Sequence, residues 1–224
     1  YWSVAGQAET AQEGRWRPSP GRALLATLQA RWQRQQAGSS SSSASSSASA
    51  LPLIAEDLGV ITPEVEALRD RFALPGMKIL QFAFDGNDDN PYLPANYRGE
   101  HWVVYTGTHD NATSLGWWRN LEEDQRRQVG ELVGHPIDAP GWQLLELALG
   151  SSAQLAVVPL QDLLHHDEEA RFNTPGTASG NWTWRLSQPI ASLEDPLQGL
   201  QGLAQRYGRT GGTGVPEAVT GGSR

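Results

Sequence analysis

Residues 51–85, LPLIAEDLGVITPEVEALRDRFALPGMKILQFAFD, contain the pattern that decides the fold. The apolar run at residues 51–55 predicts a strand that ends at two acidic residues. Residues 62–64, Thr-Pro-Glu, predict the start of a helix, because Thr is a good N-cap, Pro fits the first helical position and an acid suits the first turn. The helix is expected to end at residues 74–76, and residues 77–84 predict a second strand. This order of strand, helix and strand is typical of an α/β fold.

The same pattern continues along the chain. Residues 102–106 predict a third strand, and residues 155–160 predict a fourth. Helical spacing of apolar residues lies between them, around residues 121–133 and 142–149. Short apolar strands that alternate with helices predict a parallel sheet covered on both faces. No Gly-rich phosphate loop follows any of these strands, so half of a (β/α)8 barrel is preferred over a nucleotide-binding open sheet.

The composition excludes several classes of function. The chain has 224 residues and a formal net charge of −8, from 17 Lys and Arg against 25 Asp and Glu. An acidic chain of this kind argues against nucleic acid or an anionic membrane as the main partner. The chain has no Cys, which excludes disulfides, thiolate metal sites and a Cys nucleophile. No apolar run is long enough to span a membrane, so a soluble, cytoplasmic protein is expected.

Acidic residues follow every predicted strand. They are Glu56, Asp57, Asp85, Asp110 and Asp162. Parallel α/β folds place their chemistry at the carboxyl ends of the strands, so these acids predict a carboxylate-lined site. The chain also has nine Trp, whose flat apolar rings suit sugar rings as well as a core. Glycosidic-bond chemistry, which needs an acid and a second carboxylate, fits this combination. For each acid taken alone, the alternative is a helix N-cap or a loop residue that faces water.

Two other kinds of site have weaker support. His109 beside Asp110 could supply two metal ligands, and His165 and His166 form a second pair. Neither pair has the spacing of a ligand motif such as HExxH, so a solvated loop is the preferred interpretation of His165 and His166. A Ser-His-Asp triad is unsupported, because no GxSxG motif follows a strand.

Several longer motifs follow one another along the chain. They are residues 1–4 (YWSV), 13–16 (EGRW), 53–65 (LIAEDLGVITPEV), 74–78 (LPGMK), 81–85 (QFAFD), 105–111 (YTGTHDN), 158–162 (VPLQD), 171–176 (RFNTPG) and 180–185 (GNWTWR). In this order they resemble the 4-α-glucanotransferases, the family of amylomaltase and disproportionating enzyme. Because many motifs occur in one order, the resemblance is highly specific.

The resemblance implies a fold and a reaction. The implied fold is α/β, the C-terminal half of a (β/α)8 TIM barrel related to the α-amylases. The implied reaction transfers a segment of an α-1,4-glucan to the 4-hydroxyl of another glucan or of glucose. It proceeds by a retaining double displacement, with no metal and no organic cofactor. The expected partners are therefore α-1,4-glucans or maltooligosaccharides.

The resemblance also implies roles for particular residues. Glu56 matches the general acid/base. Asp110 matches the carboxylate that grips sugar hydroxyls and stabilises the oxocarbenium-like transition state. His109 matches a residue that hydrogen-bonds the sugar next to the scissile bond, and Asn173 matches a substrate contact. Trp16 is expected to line the acceptor side, with a packing role as the alternative.

The family's nucleophilic aspartate precedes the position that matches Tyr1. We therefore expect a truncated chain that is inactive alone and pairs with the missing N-terminal half of the barrel. The expected organisation is residues 1–37 before the fifth barrel strand, a Ser/Ala insertion at 38–50, the C-terminal part of the barrel at 51–208 and a disordered tail at 209–224. Two alternatives stay open, namely a non-catalytic glucan-binding fragment and an α-glucan hydrolase.

Overall fold

The computed structural model describes residues 1–39 and 50–209. The chain forms two compact units, Tyr1–Gly76 and Met77–Arg224. Most of the predicted Ser/Ala insertion and nearly all of the predicted tail lie outside the described residues. Gly38 and Ser39, at the start of that insertion, belong to a helix. The boundaries expected for the insertion and the tail stay predictions.

The first unit contains a short hairpin and helices. Strands β1 (Trp2–Ser3) and β2 (Arg15–Trp16) pair antiparallel. Helix α1 (Gly21–Ser39) follows, and then α2 (Pro63–Arg71), which begins where the Thr-Pro-Glu sequence predicts, with Thr62 as N-cap. The core of this unit consists of Leu51, Phe72 and Leu74, packed with Leu25, Trp32, Ala55 and Leu68.

The predicted strand at residues 51–55 is not formed. The backbone N–H of Ala55 donates to the carbonyl oxygen of Pro75 over 2.8 Å. Pro52 and Pro75 have no N–H, so these two segments cannot continue a ladder of hydrogen bonds. Leu51 is nevertheless buried in the core. The apolar run is therefore buried at its first residue without forming a strand.

The three-stranded sheet lies in the second unit, except for Gly76, the first residue of its first strand, which belongs to the first unit. Strands β3 (Gly76–Ile79), β4 (Trp102–Tyr105) and β5 (Leu155–Val157) are neighbours in that order. β4 and β5 are parallel, with Tyr105 opposite Val157. Their carboxyl ends therefore meet at one edge of the sheet, as the alternation of strands and helices predicts.

Helices surround these strands in the sequence. They are α3 (Ser114–Asn120), α4 (Glu123–Val133), α5 (Pro140–Gly150), α6 (Leu160–Leu163) and α7 (Glu194–Arg206). α4 and α5 lie where the spacing of apolar residues predicts helices, whereas α7 has no counterpart in the prediction. In the described part of the chain, no helix is long and apolar enough to cross a membrane.

Two strands are shorter than predicted. β3 ends at Ile79, where a 3₁₀ turn at Leu80–Phe82 begins. Because that turn repeats every three residues, its first residue and Ala83 are both buried in the core. β5 ends at Val157 because Pro159, which has no N–H to give to a ladder, is instead the N-cap of α6.

Helix α5 links the two hydrophobic clusters of the second unit. One cluster consists of Leu80, Ala83, Phe84, Tyr97, Val104, Val129, Leu144, Ala148 and Ala153. The other consists of Leu145, Leu149 and Leu163, packed against Leu200 and Leu203 of α7 among others. Since α5 contributes residues to both clusters, its position fixes how α6 and α7 pack.

Close contact between α5 and α6 depends on Gly141. A Cβ at this position would lie 2.5 Å from the backbone oxygen of Asp162 and 2.9 Å from its carbonyl carbon. Backbone atoms cannot give way as the end of a flexible side chain can, so any larger residue at this position forces the two helices apart.

We expect Gly141→Ala to lower the free energy of unfolding by about 1–3 kcal/mol, because the added methyl overlaps that backbone carbonyl. Gly130→Ala is the matched control, since Gly130 lies inside α4 with nothing within 4 Å of its Cβ position. It should raise the free energy of unfolding by roughly 0.5–1 kcal/mol through helix propensity. Urea titration followed by circular dichroism measures both, and equal effects of the two changes would contradict the packing argument.

Candidate active site

The loop after β4 is held in a tight turn by its own side chains. The side-chain oxygen of Asn111 accepts hydrogen bonds from the backbone N–H of Thr108 (2.9 Å) and from its hydroxyl (2.7 Å). The residues between them, His109 and Asp110, have side chains that are each 49% exposed. The turn therefore presents an imidazole and a carboxylate to solvent at the end of a strand.

Buried Asp162 fixes both ends of this loop. Its side chain Oδ2 accepts hydrogen bonds from the hydroxyls of Thr106 and Ser114, each at 2.6 Å. Its Oδ1 accepts the backbone N–H of Ser114 at 2.7 Å. Thr106 directly follows β4, and Ser114 is the first residue of α3. Of the candidate catalytic acids, Asp162 therefore has a structural role.

The segment at residues 171–173 lies against the same loop. Asn173 donates from Nδ2 to Asp110 Oδ1 (2.6 Å) and from its backbone N–H to the oxygen of His109 (3.1 Å). Arg171 donates from Nη2 to the backbone oxygen of Asp110 (2.7 Å) and from Nε to that of Asn173 (2.9 Å). His109 Nε2 lies 3.4 Å from Asp110 Oδ1. The structure thus brings together His109, Asp110 and Asn173 of the predicted site.

Aromatic rings border this cluster. The ring of Trp182 lies 5.1 Å from that of His109 and 5.7 Å from that of Phe172, measured between centroids. Trp184 meets Phe172 edge-on at 5.7 Å. Hydrogen-bonding groups beside exposed aromatic surface suit a ligand that is polar at its edges and apolar on its faces.

The loop at residues 174–181 connects the hydrogen-bonding cluster to the aromatic rings, and its ends are joined by hydrogen bonds within the loop. The side-chain oxygen of Asn181 accepts the backbone N–H of Thr174 (2.8 Å), and its Nδ2 donates to the oxygen of Thr177 (3.1 Å). The glycines at 176 and 180 have φ angles of 82°, which glycine adopts without strain. The chain then returns beside Phe172, whose oxygen accepts the N–H of Trp182 at 2.6 Å.

Glu56 and Asp57, although adjacent, have different environments in the first unit. Glu56 is exposed. Asp57 forms an ion pair with Arg69, in which Oδ2 and Nη1 are 2.5 Å apart and both side chains are mostly buried. Burial lowers the pKa of Arg69, but hydrogen bonds with Asp57 and Asp70 outweigh it, so the pKa is raised above its ordinary value. Asp57 is therefore a structural residue, which leaves Glu56 as the exposed acid.

Trp16, the other predicted site residue of the first unit, packs edge-on against Trp2 with 5.6 Å between ring centroids. Trp16 remains 45% exposed. The indole N–H of Trp2 is held by the backbone oxygen of Ala11 at 2.8 Å. The ring of Trp16 thus rests on a fixed partner, and its role on the acceptor side stays a prediction.

The remaining candidates have local roles. Asp85 accepts the backbone N–H of Asn87 at 3.0 Å, and bonds from the Asn90 side chain and this N–H lower its pKa. His165 is exposed. Across residues 1–39 and 50–209, no group of three or more His, Asp or Glu side chains is arranged to hold a metal ion.

Sequence reasoning missed Arg171 and Trp182 as parts of the site. A signal for Arg171 was available, because alternate residues of an extended segment lie on the same side and Asn173 was already a candidate. For Trp182 the signals were the Trp-rich composition and its place in the motif at residues 180–185, but neither shows its contact with His109, which crosses 73 positions of the sequence.

Comparison with known proteins identifies the family. A family model described as 4-alpha-glucanotransferase, of glycoside hydrolase type 77, matches residues 1–191. The 4-alpha-glucanotransferase of Synechocystis sp. is 44% identical over 211 residues, which are 93% of this chain and 38% of that enzyme. The 4-alpha-glucanotransferase of Thermus thermophilus is 45% identical over 193 residues, or 83% of this chain and 35% of that one. The chain belongs to the 4-alpha-glucanotransferase family.

A solved structure agrees with this assignment. The amylomaltase from Streptococcus agalactiae in complex with acarbose has a TM-score of 0.78 and 32% identity, and the match covers 93% of this chain and 39% of that chain. The α/β fold is therefore of the amylomaltase type. This chain spans 35% to 39% of the length of these relatives, so the activity of the whole enzymes is a proposal for it.

The geometry around Arg171 predicts the effect of Arg171→Lys. Lysine cannot reproduce the planar fork that reaches the backbone oxygens of Asp110 and Asn173, so we expect a loss of about 1–3 kcal/mol in the free energy of unfolding. Arg127→Lys is the control, since Arg127 makes exposed ion pairs within α4 and should change stability by less than about 0.5 kcal/mol. Chemical denaturation at one pH measures both, and indistinguishable losses would show that Arg171 does not hold the segment.

Proposed function

We propose that this chain supplies the acid/base and the charge-stabilising carboxylate of a 4-α-glucanotransferase. The reaction transfers a segment of an α-1,4-glucan to the 4-hydroxyl of another glucan or of glucose. The observation that carries the proposal is the half-exposed carboxylate of Asp110, held by Asn173 and flanked by His109 at the end of β4.

The environment of Asp110 supports a role at a sugar. Its Oδ1 accepts the bond from Asn173, and within the described residues no donor bonds its Oδ2. The carboxylate is thus fixed through one oxygen and open to a sugar hydroxyl through the other. A fixed negative charge beside the anomeric carbon stabilises the positive charge that develops there in the transition state.

Glu56 is proposed as the acid/base because it is exposed, whereas its neighbour Asp57 forms an ion pair with Arg69. In the first step the protonated carboxyl of Glu56 gives its proton to the glycosidic oxygen as the bond from that oxygen to the anomeric carbon breaks. The family's nucleophilic aspartate forms the new bond to that carbon. In the second step Glu56 takes the proton of the acceptor 4-hydroxyl, whose oxygen displaces the aspartate.

The other candidate residues are proposed to position the substrate. His109 would bind a hydroxyl of the sugar next to the scissile bond, beside the carboxylate of Asp110. Asn173 would orient that carboxylate and contact the sugar from the segment at 171–173. Trp16, exposed on the first unit, would line the acceptor side.

Several finer expectations stay predictions. The motif resemblance assigns the family's nucleophile to none of the residues of this chain, so we propose that the chain alone is inactive and works with the segment of the enzyme that it does not cover. The arrangement of its strands as the C-terminal half of a (β/α)8 barrel is part of the same proposal, as is a cytoplasmic location. The parallel pairing of β4 and β5 supports the barrel.

The test is incubation of the purified chain with maltotriose, alone and after co-expression with the uncovered segment of the Synechocystis enzyme. We expect no products from the chain alone, and glucose together with longer oligosaccharides from the pair. Longer products from the chain alone would refute the inactivity. Reducing ends without longer products would indicate an α-glucan hydrolase. Binding of maltoheptaose with no reaction in either sample would favour a non-catalytic glucan-binding fragment.

In the assembled enzyme, we expect Glu56→Gln to lower the rate of disproportionation on the order of 10²–10⁴-fold, because the amide keeps the shape and removes the proton transfer. Asp110→Asn should lower it by about 10²-fold or more without a large fall in melting temperature, because charge stabilisation is lost. Glu66→Gln, at an exposed position of α2, is the matched control and should leave the rate unchanged. Normal turnover by the Glu56→Gln variant would show that another residue is the acid/base.

A further inference from the structure

Trp182 is an exposed aromatic residue in a strained position beside the site. It is 54% exposed, and its φ angle of 59° lies in the left-handed region. A bulky residue in that region costs free energy that glycine would avoid. The backbone is held there by the 2.6 Å hydrogen bond from its N–H to Phe172. The backbone of Trp182 is thus strained, and its large apolar side chain is exposed.

Internal packing explains only part of this arrangement. The indole ring lies nearly parallel to the ring of Phe172, at 28°, and is tilted by 36° to the ring of His109. These contacts fix the orientation of the indole, while more than half of the residue's surface stays open. A smaller apolar side chain would make similar contacts without exposing as much apolar surface. A large aromatic residue whose orientation is fixed and which is 54% exposed is prepared to receive a ligand on its exposed part.

The position of Trp182 indicates what that ligand is. Its ring contacts His109, which in turn lies 3.4 Å from Asp110, and its backbone is bonded to the residue before Asn173. Hydrogen-bonding groups for hydroxyls and a flat apolar surface therefore lie side by side. A pyranose ring has hydroxyls at its rim and C–H groups on its faces, so it matches both surfaces at once.

We propose that Trp182 is a stacking platform for one glucosyl ring of the α-glucan, next to the ring that Asp110 and Asn173 bind. This inference rests on the proposed function and adds a subsite to it. The ring packs its C–H face on the indole while its neighbour along the chain reaches Asp110. The same indole keeps the imidazole of His109 in place, so the platform and the polar groups act on consecutive sugars.

The test measures binding of maltoheptaose to the full 224-residue chain by titration calorimetry, with the melting temperature recorded for each variant. Trp182→Leu keeps an apolar side chain but removes the flat face, and we expect binding about five- to tenfold weaker. Trp182→Phe keeps a smaller ring and should lose no more than about threefold. Ile190→Ala removes an exposed apolar side chain elsewhere, 78% exposed, and should change nothing.

The outcomes separate this inference from the function on which it rests. If the unaltered chain binds maltoheptaose and Trp182→Leu binds equally well, the platform is wrong and the proposed function stands. A lowered melting temperature with unchanged affinity would identify a packing residue, or one covered by another part of the protein, and would also overturn the platform. If the unaltered chain does not bind maltoheptaose, glucan binding by this chain is wrong as well.

Discussion

The buried carboxylate of Asp162 is the interaction on which the candidate site depends. It receives hydrogen bonds from Thr106 at the end of β4 and from Ser114 at the start of α3. The loop that carries His109 and Asp110 runs between these two anchors. A buried carboxylate that lost these donors would be left unsatisfied at a cost of about 1–3 kcal/mol or more. The exposed groups of the candidate site are thus held in place by a buried residue.

The acids at the strand ends look alike in the sequence and differ in the structure because of their donors. Asp162 accepts hydrogen bonds at both oxygens, and Asp57 is paired with a mostly buried Arg69. Asp85 caps a local turn. Glu56 and Asp110 remain exposed. The partners of these acids lie up to 63 positions away in the sequence, beyond the reach of local spacing.

Local signals predicted the elements that local chemistry determines. The start of α2, the span of β4 and the positions of α4 and α5 followed from capping residues and apolar spacing. The strand expected at 51–55 does not form because prolines interrupt its hydrogen bonding. The capping residues and apolar spacing of β1, β2, α1 and α7 are too weak to predict these elements. In the site, the motifs supplied His109, Asp110 and Asn173. The clamp by Arg171 and the position of Trp182 depend on tertiary contacts.

The closed loop at residues 174–181 connects the polar part of the candidate site to its aromatic part. Asn181 accepts a hydrogen bond from Thr174 and donates one to Thr177, both within the loop. A change in the length of the loop therefore does not remove a hydrogen bond from Asn173. Insertions or deletions in this loop can therefore move the indole relative to the carboxylate without rebuilding the turn that holds it. Under the proposed function, such changes adjust which lengths of oligosaccharide fit the chain, while the polar cluster stays intact.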